Sequence, residues 1–236
     1  MPGFPGSEQD LRPAESGECA SCPAITVYCG ASPRARPEFL RLADRAGRAI
    51  AERGWRLVYG GGSLGLMGGT ARAALTAGGQ VIGITTAGLT ALEPPQPGLT
   101  RLEVVQTMHQ RKLRMTELGD AFLVLPGGFG TLDETFEALT WRQLGIHAKP
   151  IVLLNHRHYF DPLLAFARQA VDAGLVRPAH LSLVEVAPTV QAAVARLAAL
   201  LPAPTPVTVV RARRTTVLTR ATATIRPGAS PESAAG

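Results

Sequence analysis

The sequence predicts an α/β fold, a parallel β-sheet with helices on both faces, in a single domain with disordered tails. Three observations carry this. Short apolar runs alternate with longer helical patterns, the order that builds strand–helix–strand units. The runs at 25–29, 121–125 and 150–154 read as buried-type strands, the kind a parallel sheet covered on both faces contains. Three of the short runs end in small-residue turns, at 30–32, 60–63 and 127–131. Sheets of this kind bind ligands beyond the carboxyl ends of their strands, where the strand order reverses. A chain of 236 residues with 46% hydrophobic content suits one large domain.

Residues 1–23 mix Pro, Gly, Ser and Glu without periodicity and read as a disordered leader. The folded body is read as 24–202. It starts with a buried-type strand at 25–29, ended by Gly30, Ala31 and Ser32. Pro37 opens a helix with Phe39, Leu40, Leu42, Ala43, Ala46 and Ile50 inward, stopped at Gly54. A second strand at 56–59 enters the glycine-rich stretch 60–68, from which a helix runs to Ala77. A third strand at 80–84 leads into a long Thr-, Pro- and Gly-rich loop, 85–101. Loops of that length in a compact domain are functional or flexible.

A short strand at 102–105 and a helix at 108–118 follow, the helix carrying His109, Arg111, Lys112 and Arg114. The central strand, 121–125, runs into Gly127, Gly128 and Gly130. Thr131 then opens a helix with Leu132, Phe136, Leu139 and Leu144 on its apolar side. The body closes with a strand at 150–154, an amphipathic helix at 159–173, a last strand at 181–186 and a helix at 188–201. From 203 to 236 the chain is Pro-, Thr- and Arg-rich and reads as mostly disordered, although 207–218 has some β propensity.

The net charge is +6, with −3 in the leader, +4 in the tail and +5 in the body. No lysine-rich run or interleaved aromatic face accompanies it, which argues against nucleic acid. Cys19 and Cys22 have metal or redox spacing, but no second pair or nearby histidine completes a zinc site. They are expected to be reduced thiols in an unstructured leader. The amino terminus lacks a basic-then-apolar signal, and no long apolar run occurs, so a cytoplasmic chain without membrane contact is expected.

The chemistry centres on residues 123–134. The three glycines let the backbone turn sharply and a ligand approach its N–H groups. The following helix adds unpaired N–H groups and a positive dipole end, which together favour an anion, most often a phosphate. The spacing is neither that of a Walker A loop nor that of a dinucleotide fingerprint. Thr131 and Glu134 have two readings: a capping box, or a cap position beside a chemically active carboxylate. Arg111 also has two, a solvated helix face shared with Arg114 or a ligand contact.

With these residues in hand, the chain resembles the LOG ("Lonely guy") family, the cytokinin riboside 5′-monophosphate phosphoribohydrolases, whose older label is lysine decarboxylase. The resemblance covers about residues 24–200. Its hallmarks are P-G-G-x-G-T-x-x-E at 126–134 and M-x-x-R-K at 108–112, with the Val-Tyr-Cys-Gly opening and the Gly-Gly-Gly-Ser-x-Gly-Leu-Met-Gly turn. Nothing suggests a lysine anchoring pyridoxal phosphate.

The resemblance implies a modified Rossmann fold, a homodimer, and hydrolysis of a nucleoside 5′-monophosphate to free base and ribose 5-phosphate. AMP is a further candidate substrate, and neither cofactor nor metal is required. Breaking an N-glycosidic bond builds positive charge on the ribose and negative charge on the base. The resemblance assigns Glu134 to orient water and stabilise the sugar, and Arg111 to steady the leaving group or clamp the phosphate. Gly127, Gly128, Phe129, Gly130 and Thr131 are expected at the phosphate. Asp133 either bonds ribose hydroxyls or favours the helix dipole.

Lys112 is expected to contact substrate, and Met108 to pack against the base or in the core. Gly61, Gly62, Ser63 and Met67 are expected to wall the pocket. Glu93 and Thr140 match positions where relatives touch substrate, against a surface or capping role. Many relatives carry Ile-Pro where this chain has Thr85 and Thr86, and an acidic residue at Thr107; both places adjoin the base. Two rival readings are a general nucleoside-monophosphate nucleosidase and a non-catalytic nucleotide-binding or carrier module.

Overall fold

A computed structural model of the protein describes Cys19 and residues 21–201. Strand β1 (Ala24–Tyr28) is buried along its whole length. Ile25 and Val27 point into one apolar layer, and Ala24 and Tyr28 into the other. The same two-sided burial holds for β2 (Arg56–Tyr59), β3 (Val81–Thr86), β5 (Ala121–Val124) and β6 (Ile151–Leu154). The unbroken apolar runs of β5 and β6 follow from it.

With β4 (Arg101–Val105) and β7 (Glu185–Ala187) these strands form a seven-stranded sheet in the order β4-β3-β2-β1-β5-β6-β7. Every pairing is parallel. The chain walks outward from β1 to β4, then returns to the other side of β1 with β5. The reversal therefore lies between β1 and β5, where Ile25 pairs with Ala121 and Tyr28 with Val124.

Helices α1 (Pro37–Glu52), α2 (Gly65–Thr76) and α7 (Val190–Leu200) cover one face. Helices α4 (Met108–Leu118), α5 (Phe129–Gln143) and α6 (Asp161–Asp172) cover the other. Helix α1 shows how sequence dictates this. Pro37 presets its first turn, and Phe39, Leu42, Ala43, Ala46 and Ile50 recur at helical spacing and are all buried. Gly54, at φ +69°, ends the helical path.

Several expectations change. Helix α5 starts at Phe129, with Gly128 as its N-cap, so Thr131 lies inside the helix. Its buried residues are Thr131, Thr135 and Ala138, whereas Phe136 and Leu144 are exposed. Residues 85–101 are not a plain loop: β3 continues to Thr86, and a short helix, α3 (Ala87–Leu92), follows. Residues Pro178–Leu183 form 3-10 turns and only Glu185–Ala187 pair as a strand. Helix α6 buries no residue fully.

Cys19 and Cys22 are joined by a disulfide, not reduced as expected. The Cys19 N–H donates to Gln80 Oε1 and the Cys22 carbonyl accepts from Arg56 Nε, which pins this short segment to the edge of the body. Cys29 is free and buried. The rest of the leader, and the tail including 207–218, lie outside the described residues. Among the described residues, no helix is long and apolar enough to cross a membrane.

Candidate active site

The three small-residue turns converge at the carboxyl end of the sheet, beside the reversal point. Gly30, Ala31, Ser32, Gly60, Gly61, Gly62, Gly128, Gly130 and Thr131 all line one cavity of about 600 Å³. A smaller recess of about 300 Å³ between Gln143 and His180 has no carboxylate or glycine turn in its wall.

Two helix N-termini point at this cavity, and they differ. At α2 the Leu64 N–H donates to Glu93 Oε1 at 2.6 Å, and the Leu66 and Met67 N–H groups donate to the Gly30 carbonyl. That terminus is closed by the protein itself. At α5 the amides of Gly128, Phe129, Gly130 and Thr131 have no protein acceptor among the described residues. Free N–H groups at a helix start, with the positive dipole end behind them, form an anion site.

The glycines of the α5 turn divide into two kinds. A Cβ at Gly127 would collide with Thr131 Oγ1, so packing explains that glycine. A Cβ at Gly128 or Gly130 would meet nothing within 4 Å, and neither has positive φ. The fold has no need of glycine at those two positions. The space they leave belongs to the cavity.

Arg111 and Glu134 stand in the same cavity. Arg111 is only 6% exposed, and its guanidinium is aimed by backbone. Nε donates to the Ile84 carbonyl at 2.9 Å and Nη2 to the Gly60 carbonyl at 3.1 Å, leaving Nη1 3.5 Å from Glu134 Oε1. A Cβ at Gly60 would collide with Nη2, so this turn is shaped around the arginine. Burial pushes the Glu134 carboxyl up to about 7, and the Arg111 charge only partly offsets it. Of the two readings of Thr131 and Glu134, the capping box does not form, because α5 begins two residues before Thr131 and Glu134 turns to Arg111 instead.

The cavity gathers Gly61, Gly62, Met67, Glu93, Met108, Arg111, Gly128, Gly130, Thr131 and Glu134 of the expected residues. Others are elsewhere. Lys112 is held between Asp133 (3.0 Å) and Glu137 (3.2 Å), which joins α4 to α5 outside the cavity and occupies Asp133 as well. The Phe129 side chain is 93% exposed and turned away, leaving only its amide at the turn. Thr140 lies exposed further along α5, Ser63 donates to the Pro94 carbonyl, and Gly127 packs behind the turn.

Thr85 stands in the wall, at the place expected to adjoin the base, while sequence reasoning missed Cys29, Leu64, Leu89, Leu92 and Pro95 there. The chain after α3 crosses the β2–α2 turn, through a bridge of Gly62 with Pro95 and a Gln96 N–H donation to the Gly61 carbonyl. No local pattern announces that crossing. Thr86 and Thr107, expected near the base, serve as N-caps of α3 and α4. Among the described residues, no cluster of His, Cys, Asp or Glu stands ready to hold a metal.

The profile of the family described as "Possible lysine decarboxylase" matches residues 67–197, more than half of the chain. The chain is 49% identical over 175 residues to the cytokinin riboside 5′-monophosphate phosphoribohydrolase of Rhodococcoides fascians, covering 74% of this chain and 88% of that protein. This chain belongs to the LOG family. A rice member, the probable phosphoribohydrolase LOGL5 of Oryza sativa subsp. japonica, is 43% identical over 180 residues, covering 76% of this chain and 73% of its own. Among solved structures, the molybdenum cofactor carrier protein of Chlamydomonas reinhardtii superposes with a TM-score of 0.57. It is 26% identical, over 76% of this chain and 98% of that one. The LOG fold seen here is thus shared beyond the named hydrolases.

Proposed function

We propose that this LOG protein hydrolyses the N-glycosidic bond of cytokinin riboside 5′-monophosphates, releasing the free base and ribose 5-phosphate. One observation carries the reading: a buried carboxylate–arginine pair shares a cavity with an open helix N-terminus. Glu134 lies three residues past Thr131, about 4.5 Å of helix rise. A 5′-phosphate on the amides of 128–131 therefore leaves the ribose beside Glu134.

The chemistry follows from the charges. As the C1′–N bond breaks, its electron pair leaves with the base and C1′ gains positive character. Ionised Glu134 faces that charge and accepts a proton from the water whose oxygen bonds C1′. A carboxyl titrating near 7 suits a proton acceptor at neutral pH. Two edges of Arg111 are spent on backbone carbonyls, so its role is to fix Glu134 and steady the departing base, not to grip phosphate bidentately.

Leu64, Leu89, Leu92, Pro95 and Met108 form an apolar wall, with Leu92 83% exposed at its rim. An isoprenoid arm on the base would cover that surface, which favours a prenylated base over AMP. Phe129, Phe136, Leu144 and Ile146 also leave apolar surface exposed along and just beyond α5, which supports a homodimer. A cytoplasmic location is part of the same proposal, as are the domain limits 24–202.

The test is chromatographic detection of base released from isopentenyladenosine 5′-monophosphate, beside AMP, the nucleoside and a Glu134→Gln control. Release from the prenylated monophosphate, lost in the control, supports the proposal. Equal or faster cleavage of AMP favours a general nucleosidase. The likeness to a carrier protein gives the third reading its footing. Ligand bound but never cleaved would favour it.

A further inference from the structure

The 3-10 turn after β6 (His156–His158) carries two consecutive non-glycine residues in the left-handed region, Arg157 at φ 52° and His158 at φ 62°. Such conformations persist only where the surroundings over-determine them. Here they do. Asn155 Nδ2 donates to Asp161 Oδ1 at 2.7 Å, Asn155 Oδ1 accepts from the Phe160 N–H at 2.7 Å, and His158 Nδ1 lies 3.0 Å from Asp161 Oδ2. The strained turn delivers Tyr159. Its ring meets the edges of Phe39 and Phe160, and its hydroxyl donates to the Gly127 carbonyl at 2.6 Å.

From this we infer that Tyr159 is a positioning residue for the anion site, holding the Gly127–Gly128 peptide so that the Gly128 N–H faces the ligand. In a trans peptide the carbonyl and the following N–H point in opposite directions. Gly127 and Gly128 flank this bond, and Gly128 has φ −98°. Reversing the peptide would carry Gly128 toward positive φ, which glycine alone tolerates readily. Both orientations are therefore open to the chain. One presents an N–H to a phosphate, and the other a carbonyl oxygen that repels it.

The neighbouring peptide is fixed by backbone, since the Gly30 N–H donates to the Pro126 carbonyl at 3.1 Å. The Gly127 carbonyl is held by a side chain, and that side chain is Tyr159. Tyr159 itself does not line the cavity, so it acts through the peptide.

The inference rests on the phosphate reading of the α5 turn, and its test separates the two. Dissociation constants of inorganic phosphate, ribose 5-phosphate and isopentenyladenine are measured for the parent and for Tyr159→Phe, which keeps the ring contacts. Loss of one hydrogen bond that selects the donor orientation should weaken phosphate and ribose 5-phosphate about tenfold and leave the base unchanged. In amide NMR, phosphate should shift the Gly128 resonance of the parent and not that of the variant.

Equal weakening of all three ligands would reduce Tyr159 to a structural part and overturn the inference, as would unchanged phosphate affinity with an unchanged Gly128 shift. A parent that binds no phosphate overturns both this inference and the phosphate reading. A parent that binds phosphate yet releases no base overturns the hydrolase alone.

Discussion

The two glycine-rich turns of this protein look alike in sequence and do opposite work. Residues 60–68 and 126–131 each follow a buried strand, each lead into a helix, and both reach the same cavity. At the first, Glu93 reaches back from the α3 side to bond the Leu64 amide, and the Gly30 carbonyl takes two more. At the second, four amides are left without an acceptor among the described residues. Glycine density marks where backbone comes close to something. What it comes close to is decided by whether the protein supplies its own acceptor.

The largest effect should come from the carboxylate beside the open turn. Glu134→Gln is expected to lower the rate of base release roughly 10²–10⁴-fold. The same variant should gain stability. Glu134 titrates near 7 when folded, above its ordinary value of 4.5, so its contribution to stability is present at low pH and lost as pH rises to about 7. Above pH 7 the variant should therefore exceed the parent by something on the order of 1–3 kcal/mol, and below pH 4 the two should converge. Chemical denaturation at pH 4 and pH 8 measures this. Equal stability at both would show that the carboxylate pays no burial penalty.

A sharper division runs within the open turn. Gly128→Ala and Gly130→Ala add a methyl where nothing stands, so the fold should survive while ribose 5-phosphate affinity falls about tenfold or more. Gly127→Ala drives a methyl into Thr131 and should destabilise the protein by roughly 1–3 kcal/mol. Thermal melts and ligand titrations of all three check this, and the same outcome for each would erase the distinction between the two kinds of glycine.

The smallest effect tests the closed turn. Glu93→Ala removes the acceptor on Leu64 N–H and should reduce stability by about 1 kcal/mol, the usual worth of an N-cap bond. It should also weaken tethering of the α3 segment, seen as faster amide exchange in residues 87–96. Unchanged stability would mean that water replaces Glu93 without loss.

Much of the molecule was legible in the chain. The strands β5 and β6 are continuous apolar runs, and β1 and β2 nearly so, because both their faces are buried, and local composition reports that directly. Helix α1 announced its own ends through Pro37 and Gly54. The convergence of three turns followed from strand–helix alternation alone. Arg111 and Glu134 were named by their motifs, and the fold brings them within 3.5 Å.

Tertiary structure decided the rest, for one recurrent reason. Whether a polar group serves a ligand or another residue depends on what lies across from it, and sequence spacing does not contain that distance. Lys112 and Asp133 sit in family motifs yet bind each other, because α4 and α5 cover the same face of the sheet within side-chain reach. Thr131 and Glu134 have the spacing of a capping box, but the helix starting at Phe129 leaves no cap to form. Leu89, Leu92 and Pro95 enter the wall only because the chain after α3 crosses a turn some thirty residues earlier. The sequence by itself determined the central strands, the helices α1, α2, α4 and α7, and which motifs carry charge, but not α3 or the turns at 178–183. Long-range packing determined which of the two helix N-termini stayed open, and so where an anion can bind.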